Sequence, residues 1–348
     1  MKGTDALGEA AIRAGCECYF GYPITPQNEV PEYMARRMGE ENLVFLQGES
    51  EIASINMLLG AAASGKRAMT SSSSPGISLK QEGLSFMAAM ELPALIVNIV
   101  RGGPGLGNIA PSQGDYFQAT RGGGHGDYRI PVYAPATIQE VYDLTMEAFD
   151  VADIFRTPVM ILGDGMLGQM VEPIDMHPKK DLEMPAKDYI LDGAEGRPSR
   201  IMKSLILDVR EMEEHNWKLK RKYDLMQQEL PKHEEFMTED AKLVIIAFGT
   251  AARIAKGAVK RARSEGLQVG LLRPITLWPF PVEAIEKLAN KTSLFLVFEM
   301  NTGQMIEDVR LALNGRVECE FYGRPGGVVP APQEVQRIIE RYWLQKEL

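Results

Sequence analysis

Short apolar runs recur through the first 170 residues at the spacing of strands that alternate with helices. Two of these runs, ALIVNIV (94–100) and PVMIL (158–162), carry apolar residues on both faces of the predicted strand. Such a strand has to be covered on both sides, which is typical of a parallel sheet between two layers of helices. The pattern therefore predicts an α/β protein whose first domain is doubly wound.

Three regions follow from this pattern. Residues 1–172 form the first predicted α/β domain, residues 173–240 a polar linker, and residues 241–348 a second, smaller α/β domain. The first domain has predicted strands at 18–22, 43–47, 67–71, 94–100, 131–134 and 158–162, and helices at 3–15, 28–37, 51–64, 79–91 and 138–155. The second has strands at 242–248, 267–272, 293–298 and 317–322, and helices at 251–265, 281–289, 303–313 and 332–345.

The linker contains a strongly charged run with helical character, residues 199–230. A solvated connector helix, or a pair of helices, explains such a run most simply, because charged faces usually contact water. The alternative is a surface that binds a partner chain.

Charge and composition exclude several classes of function. The 348-residue chain has a formal net charge of −9, which disfavours non-specific binding to nucleic acid, because the phosphate backbone attracts clustered Lys and Arg. No apolar run reaches the ~18 residues that span a bilayer. The N-terminal MKGTDALGEA also lacks the apolar core of a signal peptide. We therefore expect a cytoplasmic protein with no membrane partner.

The chain has three cysteines, Cys16, Cys18 and Cys319. They are too few for a disulfide framework, or for an iron–sulfur cluster with its four cysteine ligands. We interpret the neighbouring Cys16 and Cys18 as reduced, half-buried thiols.

Small and polar residues follow each of the first four predicted strands, where an open parallel sheet binds its ligands. The segments are PITPQNEV, GESE, SSSPGIS and the Gly-rich residues 101–128. Taken singly each has a structural explanation, because Ser-Pro-Gly forms turns and Arg101 could be a solvated strand end. A segment of about 28 residues without clear secondary structure is usually functional or disordered, however. Together the four segments predict one ligand-binding edge.

Two acids precede an apolar helix at this edge. Residues 52–63 have the small, apolar composition of a helix packed on several sides, yet Glu49 and Glu51 stand at its start. An unpaired carboxylate is costly to bury. The sequence therefore predicts a specific partner for one of these two carboxylates.

Over essentially its whole length the chain resembles the α subunit of the 2-oxoacid:ferredoxin oxidoreductases, most closely the 2-oxoisovalerate (branched-chain) type. The resemblance rests on five segments. They are, in order, GYPITPQNEVPEYM, QGESEIASINMLLGAAASG, MTSSSSPGISL, RGGPGLGNIAPSQGDYFQATRGGGHGDYR and PVMILGDG. The resemblance implies a thiamine-diphosphate pyrimidine-binding fold followed by a domain similar to the transketolase C-terminal domain. It also implies the oxidative decarboxylation of a 2-oxoacid with coenzyme A to acyl-CoA, CO₂ and reduced ferredoxin.

The resemblance further implies that thiamine diphosphate is shared with a β-type subunit that holds the diphosphate and Mg²⁺. The 4Fe–4S clusters would lie on partner chains, among them γ-type and ferredoxin-like δ-type subunits, and ferredoxin would accept the electrons. No metal ligand is assigned to this chain. Its Gly163-Asp164-Gly165 matches the start of the diphosphate-binding motif of thiamine-diphosphate enzymes, but the chain contains no Asn-Asn to complete that motif. We therefore interpret residues 163–165 as a turn. There is no P-loop, and RGGPGLGN lacks the spacing of a dinucleotide site.

The resemblance assigns roles at the predicted edge. In this family a glutamate hydrogen-bonds the aminopyrimidine ring nitrogen of the cofactor in a general acid–base relay, and its place before the helix selects Glu51 over Glu49. Arg101 matches the arginine that binds the substrate carboxylate, for which a guanidinium fork is suited. Thr25 matches a threonine that contacts the substrate.

Other residues of these segments are expected to line the site without individual roles. Those expected to contact the cofactor are Pro23, Ile24, Ser74, Pro75 and Gly76, within a pocket also lined by residues 72–76 and 108–113. His125 could lie near the reaction centre, although a loop histidine more often makes structural hydrogen bonds.

Two alternatives remain open from the sequence. The first is the same reaction with 2-oxoglutarate, pyruvate or an aryl 2-oxoacid. Residues 102–129 carry little positive charge beyond Arg121 and Arg129, which argues weakly against a second substrate carboxylate. The second is a non-catalytic assembly subunit, in which Glu51 and Arg101 would tolerate substitution.

Overall fold

The computed structural model describes residues 1–179 and 182–348. Their strands form two sheets, one of seven strands and one of five. The seven-stranded sheet has the order β10-β5-β6-β4-β3-β1-β2 and is parallel except for β10. Its strands are β1 (Cys18–Gly21), β2 (Val44–Gln47), β3 (Ala68–Ser72), β4 (Ala94–Val100), β5 (Val132–Tyr133), β6 (Pro158–Asp164) and β10 (Thr276–Trp278).

Helices cover the first sheet in two groups. Helix α1 packs against α2, α6 and α7, whereas α3 packs against α4. Strands β3 and β4 are buried at every position, as expected for central strands covered on both sides. The helices of this region are α1 (Gly3–Arg13), α2 (Glu29–Glu40), α3 (Glu51–Ala63), α4 (Ser74–Ala89), α5 (Tyr116–Thr120), α6 (Ile138–Phe155) and α7 (Gly165–Gln169).

The five-stranded sheet has the order β12-β11-β8-β9-β7, with only β7 antiparallel to its neighbour. One face, which includes Leu243 and Ile245, packs with residues of α9 and α12 in a separate core. The other face, which includes Val244 and Ile246, belongs to the same continuous core as the first sheet. The strands are β7 (His233–Phe236), β8 (Leu243–Ile246), β9 (Val269–Pro274), β11 (Leu294–Glu299) and β12 (Glu318–Gly323), and the helices are α9 (Gly249–Ser264), α10 (Val282–Ala289), α11 (Met305–Leu313) and α12 (Pro332–Gln345).

The prediction of an α/β protein with two mainly parallel sheets is confirmed. Two strands were not predicted. Strand β10 lies far along the chain, yet it pairs with β5 at the end of the first sheet. Strand β7 falls in the segment predicted as linker, and it pairs with β9. Both are short strands at sheet edges, where a periodic apolar pattern is too brief to detect.

Helix α4 begins at Ser74, so the predicted start at residue 79 was wrong. The Ser-Pro-Gly sequence is compatible with a helix here because proline is tolerated in the first helical turn, where its missing N–H has no partner in any case. In the described part of the linker a single helix, α8 (Val209–Glu229), replaces the predicted helical run from residue 199. Within the described ranges, no helix is long and apolar enough to cross a bilayer.

Candidate functional site

The carboxyl ends of β1, β2, β3 and β4 meet at one edge of the first sheet, because these four strands are neighbours and parallel. The loop after β1 carries Thr25, and Arg101 directly follows β4. The Nη1 group of Arg101 donates a hydrogen bond to the backbone carbonyl of Thr25 at 3.0 Å. These two residues are therefore adjacent in the structure although they lie far apart in the chain.

The guanidinium of Arg101 holds two loops through its Nη1 and Nη2 groups. Its Nη2 donates to the carbonyl of Leu106 at 3.1 Å, so the start of the Gly-rich segment folds back over it. Arg101 is 9% exposed. Its Nε is buried and has no hydrogen-bond partner among the described residues. A buried donor without a partner is costly, and an anion bound beside it would satisfy it.

Ser74 connects Arg101 to the start of α4. Its Oγ accepts a hydrogen bond from the backbone N–H of Arg101 at 3.1 Å, and its own N–H donates to Oδ1 of Asn98 at 3.2 Å. Asn98 in turn donates to Asp115 at 2.9 Å. Burial raises the pKa of the Asp115 carboxyl, and hydrogen bonds from Asn98 and Ser74 partly oppose that shift. This chain of hydrogen bonds fixes the first turn of α4 against the end of β4.

Glu51 is the first residue of α3. Ser50 caps this helix by accepting a hydrogen bond from the N–H of Ala53 at 3.1 Å. Glu51 is 6% exposed, whereas Glu49 is exposed in the preceding turn. In the part of the chain that the structure describes, neither carboxylate oxygen of Glu51 accepts a hydrogen bond from the protein. A mostly buried carboxylate without a protein donor is the situation in which an external partner stabilises the group.

The carboxylate of Glu51 lies against Gly76 in the first turn of α4. A Cβ atom added at Gly76 would stand 2.7 Å from Oε1 of Glu51 and 2.1 Å from Oγ of Ser72. Only glycine therefore fits between these two polar groups. The hydroxyls of Ser72 and Ser73 are buried and have no hydrogen-bond partner among residues 1–179 and 182–348.

These groups fit a planar heterocycle that carries a ring nitrogen and an amino substituent. The Glu51 carboxylate can share a proton with a ring nitrogen, and the serine hydroxyls can donate or accept hydrogen bonds. The absence of a side chain at Gly76 lets the Glu51 carboxylate and the Ser72 hydroxyl lie close together in the first turn of α4. The aminopyrimidine ring of thiamine diphosphate has this set of groups, so the residues present fit the cofactor.

The remaining predicted residues lie in the loop before Thr25 and in the first turn of α4. Pro23 is exposed and Ile24 is partly buried in the loop before Thr25. Ser74 and Pro75 are partly buried in the first turn of α4. A cleft of about 790 Å³ opens beside Thr25. Its lining includes Pro26, Asn28, Ile109, Pro111 and Val329, but not Glu51 or Arg101.

His125 lies away from the cluster. Its carbonyl accepts a hydrogen bond from Ser85 at 2.7 Å, and its ring packs edge-on against Phe86. Phe86 is ten residues beyond Gly76 on α4, which is about 15 Å along a helix. This placement favours the structural role for His125.

Residues 163–165 form the junction between β6 and α7. Asp164 caps α7 by accepting hydrogen bonds from the N–H groups of Met166 at 3.0 Å and Leu167 at 3.1 Å. The local backbone thus engages Oδ1 of Asp164, and residues 163–165 form a direct strand-to-helix junction in place of the predicted turn.

Sequence reasoning missed Lys80. This residue is fully buried in α4, one helical turn beyond Gly76, and it contacts the backbone of Glu51. The available signal was its spacing of four residues from Gly76, which places the two residues on one face of the helix.

Comparison with known proteins identifies the family. Residues 9–239 match the family model "Pyruvate flavodoxin/ferredoxin oxidoreductase, thiamine diP-bdg", and residues 241–335 match "Pyruvate:ferredoxin oxidoreductase core domain II". Together these two matches cover most of the chain.

Two curated relatives match over nearly their full length. The chain is 48% identical to the ketoisovalerate oxidoreductase subunit VorB of Methanothermobacter thermautotrophicus, over 94% of this chain and 93% of that protein. It is 37% identical to the 2-oxoglutarate synthase subunit KorA of Archaeoglobus fulgidus, over 98% of both proteins.

Among solved structures, the 2-oxoglutarate:ferredoxin oxidoreductase of Magnetococcus marinus, with 2-oxoglutarate, coenzyme A and succinyl-CoA bound, matches with a TM-score of 0.86 and 28% identity. The match covers 98% of this chain and 64% of that one, so this chain spans about two thirds of the length of that relative. The fold, the two family matches and the curated relatives agree. The chain therefore belongs to the 2-oxoacid:ferredoxin oxidoreductases, as a subunit that carries the thiamine-diphosphate-binding domain and core domain II.

Proposed function

We propose that this chain is the α subunit of an enzyme that oxidatively decarboxylates a branched-chain 2-oxoacid. Coenzyme A would take up the acyl group, CO₂ would leave, and the two electrons released would pass to ferredoxin. Sequence identity supports the substrate class, because it is 47–48% with the two ketoisovalerate oxidoreductase subunits and 34–37% with the 2-oxoglutarate synthase subunits.

The observation that carries the proposal is the buried Glu51 carboxylate, which lacks a protein donor and lies against Gly76. When bound, thiamine diphosphate supplies the carbon nucleophile that attacks the 2-oxoacid. The part of Glu51 is to share a proton with the aminopyrimidine ring nitrogen. Ser72 and Ser73 would orient the ring through their free hydroxyls, while Pro23, Ile24, Ser74, Pro75 and Gly76 line its surface.

Arg101 and Thr25 would hold the acid end of the substrate. The Nε of Arg101 is an unused buried donor, and a carboxylate beside it would receive a charge-assisted hydrogen bond. The two carbonyls that already bind the guanidinium keep its plane fixed, so little side-chain entropy is lost when the substrate binds.

The remaining parts of the reaction would lie on partner chains. Oδ1 of Asp164 is engaged by the backbone of α7, and this supports a partner subunit of β type as the holder of the diphosphate and Mg²⁺. The three cysteines do not suffice for a 4Fe–4S cluster, so the clusters would be held by further subunits such as the γ and δ types. The chain alone would be inactive.

The proposal is tested by measuring kcat of the Glu51→Gln variant in the assembled enzyme. Glu49→Gln, at an exposed position, is the matched control. Loss of one proton-transfer group is expected to lower kcat by about 10²–10⁴-fold. Glu49→Gln should leave kcat within about twofold, because substitutions at exposed sites have small effects. Normal turnover of Glu51→Gln would refute the role of Glu51 and would favour a non-catalytic assembly subunit.

The substrate class is tested separately on the same purified complex. Its kcat/KM for 2-oxoisovalerate should exceed the values for 2-oxoglutarate, pyruvate and an aryl 2-oxoacid. A preference for any of these three would overturn the branched-chain assignment and leave the reaction type unchanged.

A further inference from the structure

Lys80 is a fully buried lysine. Lysine is one of the residues that proteins least often bury. Removing an ammonium group from water costs several kcal/mol of free energy unless hydrogen bonds replace its hydration. Burial lowers the pKa of Lys80 to about 8, and the nearby Glu51 carboxylate opposes that shift. Because burying this ammonium group is costly, Lys80 is a candidate functional residue.

The ammonium group of Lys80 bonds two elements other than its own helix. Its Nζ donates to Oγ of Ser54 at 2.6 Å, to Oγ1 of Thr70 at 3.1 Å and to the backbone carbonyl of Glu51 at 3.3 Å. The three N–H donors thus reach three acceptors, two on α3 and one on β3. All three acceptors are uncharged groups.

The same helical face touches Glu51 at two points. Gly76 and Lys80 are four residues apart on α4 and therefore lie on one face. Gly76 lies against the Glu51 carboxylate, and Lys80 holds the Glu51 carbonyl. Ser54 reinforces this contact, because its hydroxyl also approaches the Glu51 carbonyl at 3.0 Å.

We propose that Lys80 is a positioning residue for Glu51. Its ammonium fixes the first turn of α3 against β3 and α4, so that the Glu51 carboxylate keeps its place at Gly76, and its positive charge offsets the negative charge of that carboxylate. This inference rests on the proposed role of Glu51 in proton transfer to the cofactor.

The experiment uses the assembled hetero-oligomer loaded with thiamine diphosphate and Mg²⁺, with no 2-oxoacid present. The exchange of the cofactor C2 proton in D₂O is followed by acid quench and proton NMR, and the dissociation constant of thiamine diphosphate is measured by titration. Lys80→Met removes the charge and the donors, whereas Lys80→Gln keeps two N–H donors without the charge. Lys222→Met is the matched control, because Lys222 is another largely buried lysine, bonded to Glu91 and to the carbonyl of Arg156.

Lys80→Met is expected to slow C2 exchange by about tenfold, the effect of losing one hydrogen bond that involves a charged group. The exchange rate of Lys80→Gln should lie between those of Lys80→Met and the wild type. If Lys80→Met does not assemble, the exchange rate of Lys80→Gln decides the test. Lys222→Met should lower the melting temperature while its exchange rate stays within about twofold of the wild type.

Glu51→Gln, measured in the same way, separates the two hypotheses. If Glu51→Gln slows exchange but both Lys80 variants exchange like the wild type, or like Lys222→Met, Lys80 has a structural role only and the inference is wrong. If Glu51→Gln leaves exchange unchanged, the proposed role of Glu51 fails, and the inference about Lys80 fails with it.

Discussion

At the scale of single residues, local geometry separates two acids that are chemically alike. Glu49 is exposed in a turn, whereas Glu51 is the first residue of a capped helix and is buried against Gly76. The sequence offered both as candidates. The preference for Glu51 came from family resemblance, and the structure adds a physical reason, since only the buried carboxylate needs a partner.

Arg101 provides a residue-scale prediction. Arg101→Ala in the assembled enzyme should raise KM for the 2-oxoacid by about 10–100-fold, because a charge-assisted hydrogen bond to the substrate carboxylate contributes about 1.5–3 kcal/mol. Arg101→Lys should recover only part of this loss, because an ammonium lacks the planar fork. Steady-state kinetics with thiamine diphosphate in excess measures KM. An unchanged KM in Arg101→Ala would show that another group binds the carboxylate.

The cysteines provide a second residue-scale prediction. Burial raises the pKa of the Cys16 and Cys18 thiols, and it raises the pKa of Cys319 to about 11. Because only the thiolate attacks an alkylating reagent, about one Cys319 side chain in a thousand is reactive at pH 8. We expect iodoacetamide to label the folded chain slowly. Below pH 11, the rate of Cys319 labelling should rise about tenfold for each unit by which the pH increases.

Mass spectrometry of labelled peptides, with the urea-unfolded chain as reference, checks this expectation. Rapid labelling of Cys16 in the folded chain at pH 8 would contradict the burial of that thiol.

At the scale of elements, the site depends on how closely α3 and α4 pack, since one carries Glu51 and the other Gly76 and Lys80. Their contact includes Gly83. A Cβ added there would stand 2.5 and 2.7 Å from two side-chain carbons of Ile55. The glycine lets the two helices approach, and this approach brings Gly76 within reach of the Glu51 carboxylate.

Gly83→Ala should therefore overpack this contact and lower the free energy of unfolding by about 1–3 kcal/mol. Gly60→Ala on α3 is the control, because a Cβ there meets nothing within 4 Å; alanine should raise the free energy of unfolding by up to about 1 kcal/mol. Urea titration of the isolated chain measures both.

The double variant Gly83→Ala, Ile55→Ala gives a sharper check on the same contact. Its loss in free energy of unfolding should be smaller than the sum of the losses in the two single variants, because Ile55→Ala removes the clashing carbons. Additive losses would show that Gly83 does not control the approach of the two helices.

At the scale of the whole molecule, the Gly-rich segment after β4 joins the two sheets. Gln113 is 3% exposed. Its side chain donates to the carbonyl of Phe248 at 2.8 Å and accepts from the N–H of Met300 at 2.9 Å. Its backbone carbonyl accepts from Asn301 at 2.9 Å. The segment that begins at Arg101 is therefore tied to the ends of β8 and β11 in the second sheet.

Gln113→Ala should weaken this connection. It leaves the Phe248 carbonyl and the Met300 N–H without their partner, at a cost of about 1–3 kcal/mol for each buried group. We expect a lower melting temperature and a broader transition in differential scanning calorimetry, as the two sheets come to unfold less cooperatively. The exposed Gln228→Ala on α8 is the control and should unfold like the wild type. A single, unshifted transition for Gln113→Ala would contradict the coupling.

Much of this organisation could be predicted from the sequence, because it depends on signals that are local in the chain. Runs such as ALIVNIV indicate strands covered on both sides, and parallel strands necessarily bring their carboxyl ends to one edge. Thr25, Ser74 and Arg101 could thus be predicted as neighbours before any coordinates, and the structure shows Arg101 bonded to both of the others.

Tertiary structure alone decided the remaining features, because they depend on contacts between residues far apart in the chain. The pairing of β10 with β5 joins segments more than 140 residues apart and leaves no periodic signal in either of them. Lys80 looks like an ordinary helical lysine until Ser54, Thr70 and Glu51 are placed around it. Composition and periodicity determine which surfaces are apolar, whereas the partners of a buried polar atom are determined only when distant segments pack together.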